Sequence, residues 1–300
     1  MSSWSGKTRG GLTGYSIFVF FLKHTGLSFA YFLLYFVAGY FFVFYRNSFR
    51  FSYRYFHRII KFSSFRSVFK IFRNYYLFGQ VIVDRIALMA GYSKKLTFDF
   101  DGEEHLRKMV DEKTGGLLIS AHIGNFEIAA HLLKRLNTKV NIVMLDAEHE
   151  KIKDFLSNIY LEKNVNIIAI KNDLSHIYAL NNAFDNKEIV CLHGDRFIEG
   201  SETVKLPFMD HQARFPAGPF YIAMRYDIPV SFVFAMKEKK FHYHFYASPL
   251  KWYFQQHSNF KTRKTITENI IKEYILQVEK MLKKYPEQWF NYYNFWEDKK

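Results

Sequence analysis

Apolar and polar positions along this chain fall into two regimes. From about residue 96 onward, short apolar runs alternate with segments whose apolar residues recur every three or four positions. The runs at 117–121, 140–145, 165–170, 188–193, 229–235 and 241–247 read as strands. The periodic segments at 125–136, 148–160, 174–185, 217–226 and 265–285 read as helices. Such alternation predicts an α/β domain with a mixed, largely parallel sheet flanked by helices, and a site at the carboxyl ends of strands. The last helix is the clearest. Thr265 and Glu268 have the spacing of a capping box, Ile271, Ile275, Val278 and Leu282 form an apolar stripe, and Pro286 ends it.

Before residue 96 the pattern is different. Residues 15–45 are dominated by Phe, Leu, Tyr and Val, and Gly26 to Tyr45 is a run of 20 residues without a charge, long enough to span a bilayer core. Lys23 and His24 interrupt its start, so a tilted span and an interfacial hairpin are both open; a buried core helix is the rival. No Ala-x-Ala-like cleavage site marks a signal peptide. Arg46, Arg50, Arg54 and Arg58 then recur every four residues, which lines one helix face. Phe62, Phe65, Phe69 and Phe72 follow at 3-4-3 spacing. A basic face beside an aromatic one suits a helix lying on an anionic membrane surface, and the rival is a Phe stripe packed on the domain core. The organisation expected is a membrane anchor over 1–45, basic aromatic interfacial helices over 46–95 and an α/β domain over 96–300. More Lys and Arg follow the apolar run than precede it, which places the domain on the cytoplasmic side.

Composition sharpens this picture in two places. The formal net charge of +14 points to acidic partners, and the 20% aromatic content, much of it beside the N-terminal basic residues, favours a membrane interface over nucleic acid. Cys191 is the one cysteine, so one chain can form neither a disulfide nor a cysteine metal site; inside Ile189-Val190-Cys191-Leu192 it reads as a buried, inert thiol.

Candidate chemistry centres on Gly116 to Glu127. An apolar strand ends at His122, a Gly-Asn pair follows, and Ala129, Leu132, Leu133 and Leu136 begin a helical stripe. Asn125 is a natural N-cap, and Glu127 lies in the first turn, where the helix dipole favours an anion. A histidine there can take a proton from a hydroxyl, with the carboxylate five residues on fixing its tautomer. The bland alternative is a dipole-stabilised glutamate and a turn-capping histidine. A second cluster, His193-Gly194-Asp195-Arg196, also ends a strand; Asp195 and Arg196 are site candidates or a simple surface pair. Arg214 precedes Pro216-Ala217-Gly218-Pro219, a turn into a helix and a plausible anion-binding place. The sequence holds no P-loop, no GxGxxG and no GxSxG, and His242 with His244 reads as a surface pair lacking a third metal ligand.

These blocks carry a family resemblance. Ser120-Ala121-His122-Ile123-Gly124-Asn125-Phe126-Glu127 resembles the His-x4-Asp/Glu block of glycerolipid and lipid A acyltransferases. Gly194-Asp195-Arg196, Leu206-Pro207-Phe208-Met209, Gly218-Pro219-Phe220-Tyr221-Ile222-Ala223 and Ile228-Pro229-Val230 follow in the order of the late lipid A acyltransferases. Tyr285-Pro286-Glu287-Gln288-Trp289-Phe290 is similar to that family's closing element. The resemblance implies acyl transfer from an acyl carrier protein or acyl-CoA thioester to a hydroxyl of a membrane lipid, most naturally a lipid A precursor, at the cytoplasmic face of the inner membrane. It implies His122 as general base, Glu127 as its partner and Asp195 as the family's later aspartate; Lys171, Arg196 and Arg214, placed at or after strand carboxyl ends, are expected with Asn125 to bind substrate. No cofactor, metal or nucleic-acid partner is implied. Two departures bear on the acceptor. Lys171 stands where an arginine is common, and Arg196 where glutamine is, the latter resembling the branch associated with aryl-polyene-type lipids. Another lipid acceptor, of aryl-polyene or glycerolipid type, is therefore the alternative. A non-enzymatic, membrane-anchored protein binding anionic lipid or nucleic acid is the reading from a different class; it leaves the His122 block unexplained.

Overall fold

The computed structural model describes residues 20–22, 24–89, 91, 95–125, 128, 136, 138–145, 165–170, 173, 175–254 and 260–297. The expected helix at 148–160 and most of the one at 125–136 lie outside these residues, as do Glu127 and Lys171. The described chain begins with α1 (Leu27–Phe44), α2 (Arg46–Arg54), a π-helical turn at Tyr55–Ile59 and the long α3 (Ser64–Met89). The α/β part follows: β1 (Thr97–Asp101), α4 (Glu103–Asp111), β2 (Gly116–Ser120), β3 (Val140–Leu145), β4 (Val165–Ile170), α5 (Ser175–Asp185) and β5 (Ile189–His193). It continues with β6 (Thr203–Phe208), β7 (His211–Pro216), α6 (Gly218–Arg225), β8 (Val230–Lys239), β9 (His242–Ala247) and α7 (Phe260–Lys284).

Among the described residues the main sheet has seven strands in the order β1-β9-β8-β2-β5-β3-β4. Its neighbours are parallel except for the β8–β9 pair. Gly116-Leu117-Leu118-Ile119-Ser120 is buried on both faces, as a central strand of a parallel sheet must be. After β2 the chain continues past β5 to β3, and after β5 it returns past β2 to β8. Right-handed crossovers send two such connections to opposite faces. Open α/β sheets place ligands at such a switch in strand order, here the adjacent carboxyl ends of β2 and β5.

The expected mixed, largely parallel sheet is present, and all six strands read from the apolar runs form. Three elements differ from expectation. Thr97-Phe98-Asp99-Phe100-Asp101 is an edge strand, paired with β9; its alternating charges look like a loop until that partner is supplied. Glu103–Asp111 forms a helix whose one buried residue is Met109. The stretch around 207–219, read as a shaped loop, contains the antiparallel hairpin β6–β7. Pro207 fits there because a two-stranded hairpin leaves backbone positions without a ladder partner.

The N-terminal helices share the domain's apolar core: Tyr55, Phe56, Ile71 and Tyr75 belong to one cluster with Phe232, Tyr274 and Trp289. The arginine row does not continue as one face. The π turn after Arg54 breaks the four-residue spacing, and Arg54 turns inward to Asn294 Oδ1 (2.5 Å) and the Glu297 carbonyl (3.2 Å). The phenylalanine stripe divides. Phe62 and Phe72 pack partly on the core, whereas Phe65 is 87% exposed and Phe69 58%. Phe62 and Phe72 thus follow the core-packing reading, and Phe65 and Phe69 remain on the outside.

Candidate active site

β2 hands the chain to a tight turn over residues 121–125. Gly124 has φ +59°, and a Cβ there would lie 2.1 Å from the Ala235 carbonyl oxygen, so the turn requires glycine on two counts. The Asn125 N–H donates to the Ala235 carbonyl (2.7 Å) and the Gly124 N–H to the Gln288 carbonyl (3.1 Å). From the far end of the chain, the Phe290 N–H donates to the His122 carbonyl (3.1 Å), and Ile123 bridges to Trp289. The Pro-Glu-Gln-Trp-Phe element is therefore a brace under the histidine turn.

In the β2–β5 register Ser120 faces His193. Residues two further on, His122 and Asp195, therefore arrive side by side. The Asp195 Oδ1 lies 2.8 Å from His122 Nδ1, and Oδ2 accepts both the His122 N–H (3.0 Å) and Asn291 Nδ2 (2.8 Å). A carboxylate only accepts, so Nδ1 carries the proton and the imidazole lone pair sits on Nε2. The Asp195 side chain is 1% exposed and that of His122 16%. Burial alone would raise the Asp195 carboxyl. The charge and hydrogen bond of His122, with His193 and Arg196, outweigh that and hold it well below the usual carboxylate range. Burial lowers the His122 pKa and the Arg196 charge adds to this, while Asp195 pulls the other way. The resting imidazole is thus neutral, as a general base must be.

The ring of His193 lies on that of His122, with centroids 4.2 Å apart and planes at 39°. Burial, with the charges of His122 and Arg196, keeps His193 well below its ordinary pKa. A buried carboxylate and a bonded imidazole with its lone pair on the second nitrogen form a base able to deprotonate a hydroxyl.

A family model described as bacterial lipid A biosynthesis acyltransferase matches residues 15–297, almost the whole chain. The protein belongs to that family. It is accordingly an O-acyltransferase acting on lipid. No curated protein matches the acyltransferase in a sequence comparison. Among solved structures it is similar to the 1-acyl-sn-glycerophosphate (LPA) acyltransferase PlsC from Thermotoga maritima, at 10% identity and a TM-score of 0.37, covering 83% of this chain and 94% of that one. Among the described residues, α1 alone is long and apolar enough to cross a membrane. With the family, it associates the acyltransferase with a membrane.

The remaining candidates separate. Arg196 is beside the base: its Nε donates to Asn291 Oδ1 (2.7 Å) and its guanidinium to the Phe290 carbonyl (3.1 Å). The surface-pair reading fails for Asp195, which is buried in the site. Arg214 sits on β7, where Glu297 Oε1 takes its Nε (2.8 Å) and Glu297 Oε2 takes Lys205 Nζ (2.5 Å). It lies within a strand, ahead of the turn, and does not join His122. Asn125 Oδ1 accepts from the Ile128 N–H (3.3 Å), the bond an N-cap residue makes. Its amide donates to the Val81 carbonyl (3.0 Å) and Tyr243 Oη (3.3 Å), and at 1% exposure it is a part of the frame, out of a substrate's reach. Glu127 and Lys171 fall outside the described residues. Sequence reasoning gave no role to His193 or Asn291. His193 shares a strand end with Asp195, a usable signal; Asn291 meets the site only through the C-terminal fold. Burial pushes the Cys191 thiol up to about 12, in keeping with an inert thiol.

Proposed function

We propose that this acyltransferase moves a fatty acyl group from an acyl carrier protein or acyl-CoA thioester to a hydroxyl of a lipid A precursor, at the cytoplasmic face of the inner membrane. The observation that carries the reading is the 2.8 Å contact between His122 Nδ1 and a buried Asp195. His122 Nε2 takes the hydroxyl proton as the oxygen attacks the thioester carbonyl. Asp195 stabilises the imidazolium that forms. When the tetrahedral intermediate collapses, the carbon–sulfur bond breaks and the imidazolium returns its proton to the leaving thiolate. No acyl-enzyme is needed, which agrees with the inert Cys191. Glu127 serves as a second carboxylate of the block. Arg196 supplies the cation for a phosphate of the lipid or of the donor's phosphopantetheine arm, and Lys171 assists it. An acidic carrier protein and an anionic lipid both suit a net charge of +14.

The test is acyl transfer in detergent micelles from lauroyl-acyl carrier protein and from lauroyl-CoA, with a lipid A precursor and hydroxylated glycerolipid and aryl-polyene-type lipids as acceptors. Asp195→Asn should lower kcat by about 10²–10⁴-fold, the range for a crippled general base. The residual activity should titrate at lower pH. Asp195 raises the His122 pKa, so its loss lets burial and Arg196 depress that pKa further. Near-normal transfer by Asp195→Asn would sink the mechanism.

A further inference from the structure

A second buried polar cluster lies behind the site. Lys237 on β8 and Asp84 on α3 form an ion pair (2.6 Å) whose side chains are 2% and 0% exposed. Asp84 Oδ2 also accepts from Tyr243 Oη (2.5 Å), and its other oxygen from Tyr31 of α1. Lys237 Nζ donates to Tyr31 Oη (2.9 Å) and sits over the rings of Tyr243 (4.7 Å) and Tyr31 (5.1 Å). Three stretches distant in sequence, α1, α3 and the β8–β9 hairpin, thus meet at one pair of charges.

Two routes run from this cluster to the base. Along side chains, Tyr243 Oη takes the amide of Asn125, three residues from His122. Along the backbone, the Gln288 side-chain amide accepts from the Lys237 N–H (2.9 Å) and donates to the Lys237 carbonyl (2.8 Å), and the Gln288 backbone carbonyl takes the Gly124 N–H (3.1 Å). A buried ion pair adds little net stability over an apolar pair of the same volume. Its persistence here calls for another use, and its bonds lead to the histidine turn.

We infer that Tyr31, Asp84 and Lys237 are positioning residues for acyl transfer, and that α1 is a working part of the catalytic domain beyond being its tether. Docking of α1 through Tyr31 completes the cluster, which holds Asn125 and so the attitude of His122. The inference rests on His122 acting as the base.

The test compares full-length Tyr31→Phe, Lys237→Met and the volume-matched Asp84→Leu/Lys237→Met double variant with wild type, all in membranes. Tyr31→Phe should stay in the membrane fraction and lose about 10-fold in kcat, with KM changed less than about twofold, the mark of misplacement without lost binding. Lys237→Met should lower Tm, and the double variant should restore Tm without restoring kcat. Without any substrate, carbethoxylation of His122 by diethyl pyrocarbonate, followed by peptide mass spectrometry, should change in rate in Tyr31→Phe and in the double variant. Wild-type kcat and wild-type labelling in both would overturn the inference. If the wild type itself failed to transfer lauroyl groups, the substrate reading would fall while the labelling still measured the linkage.

Discussion

Asp195 and Asp84 are both buried carboxylates bonded to a basic side chain, and they differ in what surrounds the base. Lys237 is closed in on every side by Asp84, Tyr31 and Tyr243. Burial pushes Asp84 up and Lys237 down, with the ion pair and hydrogen bonds pulling back. An ammonium so enclosed has no lone pair to offer and no route to a substrate. His122 has the same kind of partner, but its side chain keeps 16% exposure and its second nitrogen carries a lone pair. Near pH 7 an imidazole can change charge state during a reaction, and a lysine in an ion pair cannot usefully do so. The two pairs differ in exposure and in the choice of base; the buried carboxylate is common to both.

Substitutions can break this contrast, beginning with the largest effect. His122→Ala should cost about 10²–10⁴-fold in kcat, measured by acyl transfer, while Tm stays close to wild type. His122→Ala/Asp195→Ala should be little worse than His122→Ala, because groups acting as a unit are non-additive. Lys237→Ala should add to a loss of kcat a drop in stability of about 3–5 kcal/mol in denaturant titrations, by leaving Asp84 buried and unpaired.

Smaller changes sharpen it. Arg196→Met removes the charge that, after burial, most depresses the His122 pKa. The acid limb of the kcat profile should then move to higher pH, toward the ordinary imidazole value; an unmoved limb would show that Arg196 does not act on the base. Arg214→Ala is the mildest. Its side chain is 41% exposed and, among the described residues, paired with Glu297, so it should cost at most about 1 kcal/mol and leave the kinetics alone, checked by Tm and kcat together.

The sheet was legible because its strands are short apolar runs, and burial on both faces leaves no other pattern for segments such as 117–121. β1, whose polar positions are Thr97, Asp99 and Asp101, was hidden because so short an edge strand is settled by β9 beside it. His122 and Asp195 were legible for a positional reason: each follows a buried strand at its carboxyl end. Their bond to each other was not, since the sequence order of β2 and β5 does not reveal that they are adjacent in the sheet. The carboxylate nearest in sequence, Glu127, drew the role of partner that the structure gives to Asp195 across 73 residues. Arg214 misled because a turn into a helix can be read from its prolines, whereas the hairpin that carries the arginine away from it cannot. The cluster at Lys237 was invisible for the same reason as Asn291: each of its bonds joins residues far apart in the chain.

The brace formed by residues 286–291 also has a meaning in time. In synthesis these residues leave the ribosome after everything they support, by which stage α1 has already emerged. Until then Asp195 lacks the Asn291 amide and the histidine turn lacks the Gln288 and Phe290 backbone groups that hold it. A chain synthesised only as far as residue 285 therefore has the histidine turn without its brace, and the support of His122 and Asp195 comes only with residues 286–291.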